Sequence, residues 1–511
     1  MAGDILAEIV EKRKKDIETH GITFGFPVPK TRTRRIHQFV PAGKKCTILE
    51  IKRASPSKGD IAPNLNAGKT AQEYALSGAG AISCLTETNY FKGNLGDFMQ
   101  AANALDALES EGKSVPALLR KDFLLNADEV TVSFRSGADA VLLIARILDK
   151  ETLLAMAQKC AELNISALIE VRKDEDLQKL AFVAKQVSSD YIVCGVNARD
   201  LRDFSIDLLS PAKLLGKIKS ILGEHARVVF ESGIRTPNAA HFAGSLAFSA
   251  LLLGEAAAKN PAEASNLVSA FCDAQSTKNA EKWLSLSQKM AEKSEHRPLV
   301  KICGITNEAD ALKAAQLGAD FLGFVFARKS PRAVTADCVK KIAQSLSASA
   351  LKNRVLLVGV VVDTESEESR SAVHLAQSGV LDFIQLHAAE HAVISGDFDT
   401  DIPHFCAVNI SSADDLKKID SLKELGEPRI LIDARNGSQI GGTGTMICAE
   451  LAQEAAKKNK LWLAGGISAE NVREITAALH PELLDVSSSL EESPGKKSHE
   501  KMAAFFASIS Q

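Results

Sequence analysis

The sequence predicts two consecutive (β/α)8 barrels, joined by a helical linker, and three observations lead to this fold class. The chain has 511 residues, and a barrel of this kind needs roughly 250. Short apolar runs alternate with helical patterns through both halves, as expected for buried parallel strands that are joined by crossover helices. A related motif recurs late in each half, as ESGIRTPNAA from Glu231 and AGGISAENVR from Ala464.

Each half contains eight apolar runs that we predict to be strands. In the first half they are 47–52, 81–86, 115–121, 140–145, 166–171, 191–197, 227–232 and 249–254. In the second half they are 298–303, 321–326, 355–362, 382–387, 405–410, 429–434, 461–466 and 483–488. Trp283, Leu286 and Met290 lie at helical spacing between the two sets. We therefore expect a first barrel over 1–275, a linker helix over 276–296 and a second barrel over 297–511.

Composition excludes several classes of protein. Hydrophobic residues make up 45% and charged residues 24% of the chain, and the net charge is −3, so no overall field attracts nucleic acid or anionic membrane. We expect the basic runs 12–15 and 32–35 to be solvated. No window reaches the ~20 apolar residues of a membrane span, and the N-terminal pattern is that of an amphipathic helix rather than a signal peptide.

The nine cysteines form no CxxC pair and no zinc-type cluster with histidine. Free thiols of this kind are typical of a reducing compartment. We therefore expect a cytoplasmic protein, and we expect it to be a monomer without a metal or organic cofactor. The sequence GGTG at 441–444 is not a nucleotide-binding GxGxxG motif.

Glycines after the last two strands of each half indicate phosphate sites. Gly233 and Gly254 in the first half have the same spacing as Gly466 and Ser487 in the second. Barrels commonly bind phosphate at these two loops through backbone amides. The alternative is that the glycines only form tight turns, but two pairs with matched spacing favour phosphate.

Ionisable and polar residues collect at the predicted strand ends of the first barrel, where barrel enzymes have their active sites. They are Glu50, Lys52, Lys121, Glu170, Asn197, Arg199, Glu231 and Ser232. Any one of them could be a buried ion pair, but so many would be costly to bury for structure alone. Groups this close shift one another's pKa, which suits acid–base chemistry.

The first half resembles indole-3-glycerol-phosphate synthase in EIKRASPSKG (50–59), LLRKDF (118–123), GVNARDL (195–201) and ESGI (231–234). The resemblance implies ring closure of carboxyphenylamino-deoxyribulose phosphate with loss of carbon dioxide and water. It implies that Lys121 is the general acid and that Glu170 assists dehydration. It also implies catalytic or binding roles for the set Glu50, Lys52, Asn197, Glu231 and Ser232. Ser55 and Arg199 would hold the anthranilate end; Phe91 and Phe123 either flank the aromatic ring or only pack in the core.

The second half has a cysteine and an aspartate at predicted strand ends, Cys303 in KICGIT and Asp433 in LIDA. A cysteine at such a position can be an inert apolar residue. A thiolate base and a carboxylic acid at one barrel mouth, however, form an acid–base pair that suits isomerisation beside a carbonyl.

The second half resembles phosphoribosylanthranilate isomerase in 301–332, VGVVVD (358–363), IQLH (384–387), LAGGISAENV (463–472) and DVSSSLEESPGKK (485–497). The resemblance implies an Amadori rearrangement in which Asp433 protonates the ribose ring oxygen and Cys303 removes the C2 proton. Arg332 would bind the anthranilate carboxylate. The implied phosphate cradle is Gly442, Gly465, Gly466, Ser487 and Ser488.

Three departures from the isomerase pattern affect loops. Ala388 and Ala389 follow IQLH where the family has glycine and an acidic residue, TMICAE follows GGTG, and Ser489 replaces a glycine. Two other functions stay open, and the departures favour only the second of them. One is a different pair of phosphate-binding barrels, such as a sugar-phosphate isomerase or an aldolase, and the other is a second barrel that serves only as a scaffold.

Overall fold

The computed structural model divides the chain into two compact units, Met1–Ser276 and Thr277–Gln511. It describes residues 5–200, 205–260, 263–292, 297–349, 351, 354–433 and 449–509. In this part of the chain, no helix combines the length and the apolar character needed to span a membrane.

The first unit is a closed barrel of eight parallel strands. These strands are β1 (Cys46–Ile51), β4 (Ala81–Leu85), β5 (Ala117–Lys121), β6 (Ala140–Ile144), β7 (Ser166–Val171), β8 (Ile192–Asn197), β9 (Val228–Glu231) and β10 (Ala250–Leu253). A short hairpin follows β1 and consists of β2 (Ala54–Ser55) and β3 (Gly59–Asp60). All eight predicted strands are confirmed, because continuous apolar runs are buried on both faces in a parallel barrel.

Helices surround these strands. They are α1 (Ile5–His20), α2 (Ala67–Leu76), α3 (Leu95–Ser110), α4 (Ala127–Arg135), α5 (Lys150–Glu162), α6 (Asp174–Ala184), α7 (Ser210–Leu222), α8 (Pro237–Ser245), α9 (Glu255–Lys259) and α10 (Ala264–Cys272). Asparagine begins three successive crossover helices: the side chains of Asn66, Asn94 and Asn126 accept hydrogen bonds from backbone amides in the first turns of α2, α3 and α4. Such caps satisfy amides that the helix itself leaves without partners.

The expectation that both basic runs are solvated is wrong for three of their residues. Arg13 is only 4% exposed, because it lies on the same face of α1 as the buried Leu6 and Ile9. Its guanidinium donates hydrogen bonds to Asp122 at 2.9 Å and to Glu129. Arg34, also buried, is ion-paired with Asp139. The side chain of Arg32 is 5% exposed and forms an ion pair with the same carboxylate at 2.6 Å. The carboxylate partners lie far away in sequence, so the local pattern of charges does not reveal them.

The second unit is also a closed barrel of eight parallel strands, again as predicted. Its strands are β11 (Leu299–Cys303), β12 (Phe321–Val325), β13 (Leu356–Val361), β14 (Phe383–His387), β15 (His404–Asn409), β16 (Ile430–Asp433), β17 (Trp462–Ala464) and β18 (Leu483–Val486). A small hairpin, β19 (Glu491–Ser493) and β20 (Lys496–Lys497), follows β18. The helices are α11 (Lys278–Glu292), α12 (Glu308–Leu317), α13 (Ala336–Ala348), α14 (Glu367–Gln377), α15 (His391–Ser395), α16 (Leu416–Glu424), α17 (Ala449–Lys458), α18 (Val472–Leu479) and α19 (His499–Ile509).

Helix α11, which the sequence places in a linker, packs on the second barrel. Trp283 is fully buried, and its ring centroid lies 5.2 Å from that of Phe383 and 5.9 Å from that of Trp462. Phe383 and Trp462 are the first residues of β14 and β17. The helix therefore covers the end of the barrel opposite the carboxyl ends of the strands.

Candidate active sites

The carboxyl ends of the first barrel's strands surround a cavity of about 110 Å³. Most of the residues predicted for this site line it, namely Glu50, Lys52, Ser55, Phe91, Lys121, Phe123, Asn197, Arg199, Ser232, Gly233 and Gly254. Glu170 and Glu231 are not part of this lining. Glu170 borders a smaller neighbouring pocket together with Arg199, and Asn197 connects it to the main cavity by a 3.5 Å hydrogen bond from its amide to the Glu170 carboxylate.

Glu50 is the centre of a buried charge cluster. Its carboxylate accepts a 3.0 Å hydrogen bond from Lys52 Nζ, and Lys121 Nζ lies 4.0 Å away. Burial acts to raise the pKa of Glu50, but the two ammonium groups outweigh it and leave the pKa lowered. Burial acts to lower the pKa of Lys121, and the carboxylates of Glu50, Glu231 and Glu170 outweigh it and raise the pKa. The cluster therefore keeps Lys121 charged beside an ionised Glu50.

Glu231 is in the opposite electrostatic situation. Its side chain is 1% exposed, and in the described part of the chain neither of its carboxyl oxygens accepts a hydrogen bond. Burial, followed by the negative charge of Glu170, raises the pKa of Glu231 to about 8. Gly195 makes room for this carboxyl group, because a Cβ at Gly195 would lie 2.0 Å from Oε1. At pH 7 the site thus contains an ionised Glu50 and a protonated, uncharged Glu231.

Aromatic and apolar side chains form one wall of the cavity. The rings of Phe91 and Phe123 lie 6.2 Å apart between centroids, and Lys52 Nζ lies 5.5 Å above the Phe91 ring. The sequence did not indicate that α1 contributes to this wall through Ile5, Leu6 and Ile9. Its amphipathic pattern predicts an apolar face but not what that face covers.

A second group that sequence reasoning missed lies at the phosphate loops. Arg235 and Glu255 both line the cavity, with 3.4 Å between Nη2 and Oε2. Arg235 follows Gly233 by two positions, and Glu255 follows Gly254 directly. Their positions in the two glycine loops were the only signal in the sequence that could have identified them.

The glycine loops of both barrels have backbone conformations that favour glycine. In the first barrel φ is +71° at Ser232 and +90° at Gly233, and in the second it is +100° at Gly465 and +60° at Gly466. A Cβ at Gly233 would also lie 2.7 Å from the side chain of Ile206. The three glycines thus have backbone conformations that favour glycine, and the lack of a side chain at these positions would let a phosphate approach the backbone amides closely.

In the second barrel Cys303 ends β11 and Asp433 ends β16. Two strands, β17 and β18, separate them on the short way around the barrel, so they face each other across the mouth. His387, at the end of β14, has its Nε2 atom 3.8 Å from Asp433 Oδ2. Burial raises the pKa of the Cys303 thiol, and the nearby Lys301 ammonium opposes this shift. The sequence did not identify Lys301 or His387 as members of this site.

Arg332 is part of a charge network at the same mouth. It donates two hydrogen bonds to Glu491, of 2.8 Å from Nε and 2.7 Å from Nη2. Lys497 donates to the same carboxylate at 2.9 Å and to the Ser487 carbonyl at 3.0 Å. The Ser487 hydroxyl in turn donates to the carbonyl of Cys303 at 3.0 Å. The predicted carboxylate-binding arginine is therefore connected to the loop that contains Ser487 and Ser488.

The departures from the isomerase pattern have local structural consequences. Ala388 has φ = +55°, a conformation that favours the glycine it replaces. Ser489 is accommodated, since its hydroxyl donates a 2.6 Å hydrogen bond to the carbonyl of Ile467. Gly442, with the rest of 434–448, lies outside the described residues.

Two family models match the chain in succession. The model described as indole-3-glycerol phosphate synthase matches residues 6–269, and the model described as N-(5'-phosphoribosyl)anthranilate isomerase matches residues 300–508. Among solved structures, the phosphoribosylanthranilate isomerase of Thermotoga maritima is 32% identical; the match covers 42% of this chain and 98% of that one, with a TM-score of 0.36.

Curated relatives are similar over most of the chain. A tryptophan biosynthesis protein TrpCF of Vibrio parahaemolyticus is 31% identical, with 93% of this chain and 87% of that protein covered. A multifunctional tryptophan biosynthesis protein of Schizosaccharomyces pombe is 30% identical, with 92% of this chain covered. The chain spans 60% of the length of the latter protein, and 69% and 62% of two similar multifunctional proteins. The chain therefore belongs to the family of tryptophan biosynthesis proteins that join an indole-3-glycerol phosphate synthase domain to a phosphoribosylanthranilate isomerase domain.

Proposed function

We propose that this chain catalyses two successive reactions of tryptophan biosynthesis. The second barrel isomerises N-(5'-phosphoribosyl)anthranilate to carboxyphenylamino-deoxyribulose phosphate, and the first barrel converts that product to indole-3-glycerol phosphate. The observation that carries the proposal is the cavity of the first barrel, where oppositely charged groups converge beside two glycine loops. The family membership of both halves supports the same assignment.

In the second barrel Asp433 acts as the acid and Cys303 as the base. Asp433 gives a proton to the ribose ring oxygen, so that the C1–O bond breaks and an iminium forms. Cys303, as a thiolate, then takes the proton from C2, and the resulting enolamine becomes the ketone. Arg332, whose guanidinium is held by Glu491, binds the anthranilate carboxylate with its remaining N–H donors.

In the first barrel Lys121 gives a proton to the ribulose carbonyl oxygen while the aromatic carbon attacks the carbonyl carbon. Carbon dioxide leaves from that aromatic carbon, and Glu170 assists the later loss of water. The raised pKa of Lys121 keeps its ammonium protonated before the reaction, so that the proton is available as negative charge develops on the carbonyl oxygen. Glu50 holds Lys52 and Lys121 in place, whereas Asn197 orients Glu170.

Substrate binding divides between the two ends of the ligand. In the first barrel Arg199 and Ser55 bind the anthranilate end, and Phe91 and Phe123 border its ring. The loops with Ser232, Gly233 and Gly254 bind phosphate in the first barrel. The corresponding loops of the second barrel are those of Gly442, Gly465, Gly466, Ser487 and Ser488.

The two activities can be tested separately in the full chain, with a metal chelator present because we infer that neither site needs a metal. Cys303→Ala should abolish isomerisation and leave cyclisation within twofold of the wild type. Lys121→Ala should do the reverse, so that carboxyphenylamino-deoxyribulose phosphate accumulates. Product formation is followed by chromatography. Loss of both activities in either folded variant contradicts independent sites, and absence of isomerisation in the wild type indicates that the second barrel is only a scaffold.

We further infer that the protein acts as a monomer in the cytoplasm. The cysteines that the structure describes are all free thiols, which supports a reducing compartment. Light scattering of the purified chain tests the monomer, since a mass of twice 54.6 kDa would contradict it. Fractionation of the source cells tests the location.

A further inference from the structure

A lysine lies buried directly beneath the candidate base of the second barrel. Lys301 is fully buried and precedes Cys303 by two positions on β11. Alternate residues of a strand point to the same face, so both side chains enter the barrel interior. Lys301 pairs in register with Asp485 of β18, and its Nζ atom lies 2.7 Å from Asp485 Oδ2.

A glycine on the neighbouring strand brings the ammonium and the thiol together. Gly323 of β12 pairs in register with Cys303. A Cβ at Gly323 would lie 2.8 Å from Cys303 Sγ and 3.0 Å from Lys301 Nζ. The sulfur and the ammonium therefore lie side by side in the space that a side chain at Gly323 would fill, and the ammonium acts to lower the pKa of the thiol.

The charges around Cys303 leave one positive charge unbalanced among the described residues. The cations are Lys301 on the same strand, Lys497 on β20 and Arg332 in the loop after β12. The anions are Asp485 on β18 and Glu491 on β19, the latter bound to both Arg332 and Lys497. Three cations and two carboxylates sum to +1, so a thiolate at Cys303 brings the cluster to neutrality.

Burial opposes the formation of that thiolate. It raises the pKa of Cys303, whereas Lys301 and Lys497 act to lower it. Of these two cations, only Lys301 is on the same strand as the thiol and beside the same glycine. Asp485 fixes its position but, as an anion, acts to raise the same pKa.

We propose that Lys301 is a positioning residue for the isomerisation, one whose ammonium, fixed by Asp485, stabilises the thiolate of Cys303 in the barrel interior. The proposal rests on the proposed function of the second barrel for its catalytic meaning. The effect of the Lys301 ammonium on the Cys303 thiolate does not depend on that function. The competing explanation is a purely structural ion pair, which can often be replaced by apolar residues without loss of stability.

The test is the rate at which iodoacetamide alkylates Cys303 in the full chain, measured by mass spectrometry of the Cys303 peptide between pH 7 and 10. We expect Lys301→Met to raise the pH midpoint of the Cys303 alkylation rate by on the order of one unit. Alkylation at pH 8 should then be about tenfold slower. Cys338, a half-buried thiol of the same barrel, is the internal control and should react equally in both proteins.

Each outcome decides the question. A rate at pH 8 within twofold of the wild type overturns the proposal. Faster alkylation of Cys303 with an unchanged rate at Cys338 also overturns it, because the thiol would then react more readily without the ammonium. In the isomerase assay Lys301→Met should lower kcat with little change in KM, and the deficit should shrink as pH rises. If the wild type has no isomerase activity, the alkylation rates still test Lys301 while the proposed function fails.

Discussion

The carboxyl group of Glu231 lies where ionisation is unfavourable. Burial and the neighbouring Glu170 raise its pKa to about 8, against a usual carboxyl pKa near 4.5. The folded protein therefore holds a proton that the unfolded chain releases between these two pH values. Because the folded state binds more protons in this range, the free energy of unfolding falls as pH rises from about 4.5 to about 8.

Glu231→Gln should remove this pH dependence, since the amide resembles the neutral acid. Measured by calorimetry of the full chain, the variant should melt at a higher temperature than the wild type at pH 8.5. At pH 5 the two should melt at nearly the same temperature. Equal melting temperatures at both pH values would show that Glu231 is ionised in the folded protein.

The glycine loops lead to a prediction about phosphate. Gly233→Val should raise KM for cyclisation at least tenfold, because valine strains a positive φ and meets Ile206. Gly466→Val should raise KM for isomerisation and leave KM for cyclisation unchanged. Inorganic phosphate should compete with both substrates of the wild type. Non-competitive inhibition, or an unchanged KM in both variants, would argue that the loops form turns and do not bind phosphate.

At the scale of elements, helix α1 is fixed by a buried charge cluster and also closes one side of a cavity. Arg13 pairs with Asp122, the residue after Lys121, while Ile5 and Leu6 line the cavity. Helix α1 therefore contributes both to the stability of the first barrel and to the wall of its cavity.

Arg13→Met should destabilise the first barrel by about 3–5 kcal/mol, because Asp122 and Glu129 would remain buried without that cation. It should also raise KM for cyclisation. Urea denaturation and steady-state kinetics provide the measurements. Lys12→Met, in the exposed neighbouring position, is the matched control and should change neither quantity appreciably. A similar loss in both variants would mean that general helix propensity, not the ion pair, is responsible.

Elements differ in how far the sequence predicts them. The sixteen barrel strands are found within two residues of their predicted ends, because an apolar run determines burial locally. The burial of Arg13 and Lys301 was not predicted, because their partners, Asp122 and Asp485, are 109 and 184 positions away in the sequence. An isolated basic residue is exposed in most proteins, and only the closed barrel brings the compensating carboxylate to it. The predicted roles of the site residues remain predictions.

For the molecule as a whole, the division at Ser276 and Thr277 assigns α11 to the second unit. We propose that a fragment of residues 277–511 contains what the second barrel needs to fold, whereas a fragment of 297–511 lacks the Trp283 side chain against Phe383 and Trp462. Loss of a buried tryptophan costs about 3–5 kcal/mol. The shorter fragment should therefore unfold at lower urea concentration.

Circular dichroism during urea titration measures the difference between the two fragments. In the full chain Trp283→Ala should lower the stability of the second barrel by a similar amount. Trp283→Phe should lower it much less. Equal stability of the two fragments would show that the helix is a connection and not part of the barrel.

The pairing of β11 with β12 and β18 also determines which mutations the chain can tolerate during evolution. Lys301 and Cys303 enter the barrel together because they are two positions apart on a strand with a period of two. A single residue inserted or deleted in β11 before Lys301 would turn both side chains outward into the helical layer and bring Ile302 inward. The same change in a surface loop would leave every pairing intact. Insertions and deletions that survive in this lineage should therefore collect in the connections, and substitution should be the main route by which the interior changes.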